Sequence, residues 1–287
     1  MAVRDVTLAL SVTVVFAASV AVATHRYVGN LNGTATAAAD RASLPILVYH
    51  QLRVSGDEPA DSDEVISLDR FESQMRTLHD LGYRTLSMDE VTRFLRGESF
   101  PPKIVAIHLD DGWKSGLAAV PVLNRFDFHA SFWIIAGTGI SWPHLDWPEV
   151  EALASNPRFD VLSHTMTHPW KPNDTMLDWL AGRTPGKGLE QARAELTQSR
   201  RVLEDKLGRP VLSLAWPSGL YNEPLIALAQ DAGYQALLTI DSGLNAPGDD
   251  LLRIRRTMIH GACNLDVFQQ MLLDGRSRNC DAVPTPH

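Results

Sequence analysis

The sequence predicts a mainly parallel α/β barrel, and three observations carry that prediction. Strand-like and helix-like segments alternate along the chain. Once an apolar N-terminal stretch is set aside, the 287 residues leave one domain of the size a single barrel needs. Residues with chemical potential follow directly after apolar strands, at the end of such folds where reacting groups collect.

The elements follow from local pattern. Residues 6–23 are an uncharged run rich in Val and Ala, close to the length of a spanning helix. Ala21-Val22-Ala23 has the small-x-small form of a cleavage site, and Arg4 is offset by Asp5. Residues 1–24 are therefore expected to be a signal peptide or a membrane anchor, which implies export to the periplasm, the cell surface or the medium. Residues 25–43, rich in Gly, Asn, Thr and Ala, read as a linker. The domain is expected over 44–275, with a tail at 276–287. Phe71, Met75, Leu78 and Leu81 recur at helical spacing, and Gly82-Tyr83 ends that helix. A short strand is predicted at 84–87, a helix at 88–95, and a buried, β-branched strand at 104–109 closed by Gly112. Residues 170–188 read as a long loop. A charged helix over 190–207 is stopped by Gly208-Arg209-Pro210. Strands at 211–216 and 236–240 flank a helix at 224–232, and there is no internal repeat.

The chemistry concentrates in two places. Asp110 and Asp111 end the first apolar strand, and on an extended chain neighbouring side chains face opposite ways. Such a pair suits two jobs better than one shared proton. His164 and His168 follow the apolar lead-in Val161-Leu162-Ser163 at i and i+4. One carboxylate and two imidazoles make an open three-ligand metal site.

These motifs resemble those of the polysaccharide deacetylases of the NodB-homology type, carbohydrate esterase family 4. The branch acting on poly-β-1,6-N-acetylglucosamine is the most similar. Leu109-Asp110-Asp111-Gly112 stands where that family has Thr-Phe-Asp-Asp-Gly, and Ser163 to Pro169 matches its His-Ser/Thr-x-x-x-His-Pro signature. Ala130-Ser131-Phe132-Trp133-Ile134-Ile135 resembles the strand between them. The likeness runs from about residue 44 to about 275. It implies a distorted (β/α) barrel of about seven strands and an enzyme that removes N-acetyl groups from an amino-sugar polymer. It also implies a divalent metal, zinc first, with cobalt or nickel as alternatives. Asp110 would be the base, and Asp111, His164 and His168 the metal ligands. Water acidified by the metal would lose its proton to Asp110 and attack the acetamide. Ser218, in Ala215-Trp216-Pro217-Ser218-Gly219, would give the backbone N–H that faces the oxyanion.

Two departures from the family pattern bear on activity. Ala215 replaces an arginine that pairs with the catalytic aspartate in many members, so another cation has to orient Asp110. Arg253, Arg255 and Arg256 are the candidates. His108 replaces the usual threonine on the face that carries Asp110, and reads as a packed strand histidine beside the site. The general acid that protonates the leaving amine is either His50, after Leu47-Val48-Tyr49, or His260, after Thr257-Met258-Ile259. His50 is the better match, because the poly-N-acetylglucosamine branch resembles a permutation that moves this strand to the front. Trp113 is expected to line the cleft, and Trp142, Trp147, Trp170 and Trp179 also lie near motif residues.

Composition sets wider bounds. Hydrophobic residues make up 45% and charged residues 21%, ordinary for a globular core. A net charge of −8 disfavours nucleic acid and tolerates a neutral or partly cationic glycan. Beyond the polysaccharide, the membrane is a partner only through the N-terminal segment, and the protein is expected to be a monomer. Cys263 and Cys280 form one disulfide or remain two free thiols. An O-acetyl esterase, or a glycan-binding barrel without activity, is the alternative to the N-deacetylase.

Overall fold

The computed structural model describes residues 43–54, 64–137 and 143–280. The N-terminal segment 1–24, the proposed linker up to residue 42, Trp142 and the last seven residues lie outside this range. No helix among the described residues is long and apolar enough to cross a membrane.

The domain is built on one curled, parallel sheet. Its strands are β1 (Ile46–Tyr49), β5 (Ile104–Leu109), β6 (Ala130–Ile134), β7 (Phe159–Ser163), β10 (Ser213–Ala215), β11 (Ala236–Leu238) and β12 (Thr257–Met258). Their order is β11-β10-β7-β6-β5-β1-β12, a distorted seven-strand barrel of the expected kind. Two short strands, β2 (Gln51–Arg53) and β3 (Val65–Ser67), pair outside this sheet, and a two-residue strand, β4 (Arg84–Thr85), pairs with the start of β5. One parallel bridge, Leu238 to Ile254, links β11 to the chain that leads into β12 and draws the two ends of the sheet together. The first strand of the domain is inserted between β5 and β12, with Val48 opposite both His108 and Met258. This places the residues after Tyr49 and after Met258 at the same end of the sheet.

Burial on both faces explains the composition of the strands. All six residues of β5 are buried, which is why it reads as a continuous apolar run without alternation. Val105, Ile107 and Leu109 pack under the surrounding helices. Ile104 and Ala106 point the other way, into an inner cluster with Ile46, Trp133, Ala215, Leu238 and Ile254. His108 and Asp110 continue that inward face. The interior thus changes along its length from apolar, through one buried histidine, to carboxylates at the mouth.

Local signals place the helices. α1 (Leu68–Asp80) starts at Ser67, whose hydroxyl accepts from the Arg70 N–H, one turn earlier than periodicity alone suggests. α2 (Met88–Leu95) begins with a Ser87–Glu90 capping box. The long helix Leu189–Leu207 ends at Gly208, whose φ of 64° is costly for most side chains. Strands predicted at 211–216 and 236–240 are shorter at their ends, because those residues bend into the loops that form the site. Residues 170–188 are not an open loop. They form the hairpin β8 (Trp170–Lys171) and β9 (Asp174–Thr175), followed by a short helix, Met176–Leu180. Cys263 and Cys280 form a disulfide, so of the two alternatives left open by the sequence the cross-link is the one adopted.

His108 is a cost within this core. It is fully buried, neither ring nitrogen has a hydrogen-bond partner, and its ring lies 5.2 Å from that of Trp133. Burial, and then the nearby charge of Arg256, lower its pKa to about 3. A folded value below the unfolded one means that stability falls as pH drops from about 6.5 toward 3, by roughly 1.4 kcal/mol per unit. Between pH 7 and pH 5, metal-free wild type should lose about 2 kcal/mol more than His108→Leu in urea unfolding. Equal losses in the two proteins would show that His108 is not held neutral.

Candidate metal centre and active site

The C-terminal ends of β5 and β7 build the site. Asp110 is the last inward-facing residue of the β5 segment and is 2% exposed. Its backbone N–H donates to Tyr49, which ties β5 to β1 at this level. Asp111 then leaves the strand with φ 66°, and Gly112 continues the turn with φ 63°. The expected opposite facing of the two carboxylates therefore does not hold. An extended chain would separate them, but the left-handed turn brings both toward His164. His164 Nε2 lies 3.1 Å from Asp111 Oδ1 and 3.9 Å from Asp110 Oδ2.

The histidine turn is fixed on three sides. His164 donates from Nδ1 to the carbonyl of Ala215 at 2.9 Å, leaving Nε2 as the lone-pair nitrogen that faces Asp111. Ala136 and Gly137 donate backbone N–H groups to Thr165 and Met166. Gly137 is required there, since a Cβ would sit 2.3 Å from the Met166 carbonyl oxygen. Glu195, buried on the long helix, accepts from the Thr167 N–H at 2.5 Å and from its hydroxyl at 3.0 Å. Beneath them Ser163, Ser199 and Tyr234 share a buried hydroxyl network. Of the seven described non-glycine residues with positive φ, four are Asp111, Thr165, His168 and Ser218. Backbone strain of about 1–3 kcal/mol apiece is thus concentrated around one point.

Asp111, His164 and His168 each offer one ligand atom, and these atoms lie within 4.8 Å of one another. His168 Nε2 is 3.3 Å from Asp111 Oδ1, yet that buried oxygen has no hydrogen-bond partner. An unpaired buried carboxylate oxygen between two imidazoles is costly, and a divalent cation is the group that would satisfy it. The residues present fit such an ion. Burial, joined by the neighbouring His164, lowers the His168 pKa to about 4, which favours the neutral form that ligates. Burial alone would raise the pKa of Asp111, but the surrounding imidazoles hold it well below the usual carboxylate range. His164 is opposite in sign: burial lowers its pKa, and the Asp111 and Asp110 carboxylates outweigh that and raise it.

Asp110 is held separately. Arg256, 0% exposed, contacts it with both prongs of its guanidinium, Nη1 to Oδ1 and Nη2 to Oδ2, each at 2.9 Å. Arg256 Nε donates to the Thr239 carbonyl at 2.7 Å, so the guanidinium is locked between β11 and β5. Burial pushes the Asp110 pKa up, and Arg256, with His164 and His50, brings it below its ordinary value. Of the three arginines that the sequence offered, Arg253 pairs instead with Glu223 and Asp250, and Arg255 with Asp249.

The other candidates fall on the same rim. His50 follows β1, is half-buried, and acts electrostatically on Asp110, Asp111 and His168. Its Nδ1 is buried without a hydrogen-bond partner. His260 follows β12, beside β1. Ser218 is exposed, with φ 51°, just beyond the Ala215 that receives His164. The Trp113 indole N–H donates to Asp111 Oδ2 at 3.3 Å. Trp179 is core, Trp147 stacks against Lys206, and Trp170 is exposed. Glu195 escaped the sequence reading because an acidic residue on a charged helix carries no signal of its own.

Comparisons with known proteins find relatives in sequence and in fold. Residues 97–237 match the family model described as polysaccharide deacetylase. YxkH of Bacillus subtilis (strain 168), named for that family, is 27% identical over 220 residues, covering 76% of this chain and 72% of YxkH. The poly-beta-1,6-N-acetyl-D-glucosamine N-deacetylase of Escherichia coli (strain K12) is 24% identical over 250 residues. That match covers 76% of this chain but only 37% of the E. coli enzyme. Among solved structures, the deacetylase PplD of Streptococcus pyogenes, in complex with acetate, superposes with a TM-score of 0.69 at 24% identity, over 81% of this chain and 99% of that one. IcaB from Ammonifex degensii gives 0.66 at 22% identity, over 81% and 96%. These structures share the fold. Residues 97–237 thus carry a polysaccharide deacetylase domain by the family model that they match.

Proposed function

We propose that the protein is a metal-dependent N-deacetylase of an amino-sugar polysaccharide, acting on poly-N-acetylglucosamine. One observation carries the reading. A buried Asp111–His164–His168 cluster lies beside a second carboxylate, Asp110, that a buried arginine keeps ionised and apart. A structural metal site would be closed by a fourth protein ligand, usually cysteine, and both cysteines here are in a disulfide.

Asp111, His164 and His168 would hold the cation, with Trp113 and the Ala215 carbonyl fixing the ligand orientations. When bound, a divalent ion supplies Lewis acidity to the acetyl carbonyl and to water. Asp110 accepts the proton of the attacking water, in the anionic form that Arg256 favours. The Ser218 backbone N–H faces the oxyanion. His50 donates a proton to the leaving amine, so that acetate and a free amino sugar depart. The apolar N-terminal run is proposed to export the domain to where such polymers lie.

The test is acetate release from β-1,6-linked N-acetylglucosamine oligomers after chelation and addition of zinc, cobalt or nickel. Release is expected only with metal restored. Metal-independent release, or none from that glycan, chitin oligomers or acetylated xylan, would overturn the proposal. Preference for acetylated xylan would instead favour ester cleavage. His50→Ala should lower kcat by about 10²–10⁴ with metal still bound. A loss of that size in His260→Ala alone would transfer the acid role to His260.

A further inference from the structure

We propose that Trp170 is a sugar-stacking platform that holds the polymeric substrate two or more residues away from the reacting unit. The proposal rests on the deacetylase reading and adds to it the site that recognises chain length. Among the described residues Trp170 is the one exposed tryptophan, at 48%. Trp133 and Trp216 are fully buried, Trp179 is 3% exposed, and Trp113 and Trp147 are half-buried. A tryptophan left in water forgoes a large apolar contribution, so its exposure calls for an explanation.

The setting points to recognition. Trp170 lies two residues after His168, which puts its Cα within about 7 Å of that of the ligand. The hairpin that carries it, β8–β9, has only two residues per strand and would not hold its shape alone. Its far side is clamped instead. The Trp179 indole and the Lys187 ammonium both donate to Asp174 Oδ1, at 2.7 and 2.8 Å. The Thr184 hydroxyl donates to the Asn173 carbonyl at 2.6 Å. Thr175 donates its N–H and hydroxyl to Asp178, which also takes Arg183. A rigid support beneath an exposed indole lowers the ordering cost of binding.

Two neighbouring loops extend the surface. Leu220, beyond β10, and Ile240, beyond β11, are 39% and 37% exposed, and β7, β10 and β11 are consecutive in the sheet. Exposed apolar side chains thus follow three adjacent strand ends on the rim that holds the metal cluster. A β-linked N-acetylglucosamine residue offers an apolar ring face of C–H groups, which suits an indole plane. Its hydroxyl and acetamide edges stay in water.

The experiment compares wild type, Trp170→Ala and Trp170→Phe on the dimer and hexamer of β-1,6-linked N-acetylglucosamine. Trp170→Ala is expected to raise KM for the hexamer about tenfold, the scale of one lost aromatic contact. It should leave kcat, and the dimer's kcat/KM, unchanged, and Trp170→Phe should restore most of the hexamer affinity. An equal loss on both oligomers, or none on either, would overturn the proposal. Should wild type release no acetate at all, the reaction assignment fails separately. Calorimetric titration of the hexamer then decides this point, since weaker binding by Trp170→Ala supports the platform and equal binding removes it.

Discussion

Asp110→Asn is expected to cut acetate release about 10³-fold while the protein still binds one equivalent of metal. General bases contribute about 10²–10⁴ to such steps, and an amide of the same shape cannot take the proton. The amide also changes the balance with Arg256, because a buried guanidinium now faces a neutral group. Some loss of stability therefore accompanies the loss of rate, and the two have to be measured together. Metal titration by calorimetry, with kcat on the same preparation, separates them. Full activity in Asp110→Asn would remove this residue from the chemistry. Loss of metal binding would mean that Asp110, rather than Asp111 alone, belongs to the ligand set.

Arg256→Ala should cost about 3–5 kcal/mol of folding stability, the penalty for leaving one partner of a buried ion pair uncompensated. Asp110 is 2% exposed, so water cannot replace the guanidinium. The depressed Asp110 pKa sets the sign of the pH effect. The pair stabilises the fold above the ordinary value of 3.8, and its contribution disappears as pH falls through the lower folded value. Arg256→Lys keeps the charge but cannot reach both carboxylate oxygens and the Thr239 carbonyl at once. It should unfold between wild type and Arg256→Ala in urea, with kcat lower than wild type. An Arg256→Ala protein as stable as wild type at pH 7 would show that the pair is not desolvated in solution.

Particular residues show how much was legible in advance. The β5 segment 104–109 and the helix 88–95 were readable to the residue, because an apolar β-branched run and a capping box are local signals. The cluster able to hold a metal was readable as well, since Asp111 and His164 follow the ends of their own strands by two residues and by one. The hairpin at 170–175 was not. Its strands are two residues long, and what shapes them is Asp174 and Asp178 meeting partners up to thirteen positions away. Arg256 stood among three arginines in four residues, which local pattern cannot rank.

The sequence by itself determined the barrel class, the two motif-bearing strand ends and the residue types able to hold a metal. These depend on periodicity and on chemistry carried within a few residues. Tertiary structure alone decided that Asp111 turns back through a positive φ to share a site with Asp110. It also decided that Arg256 rather than its neighbours reaches Asp110, and that Glu195 braces the turn between His164 and His168. Each of these is a contact between segments distant in sequence, or a backbone strain that only the surrounding packing can sustain.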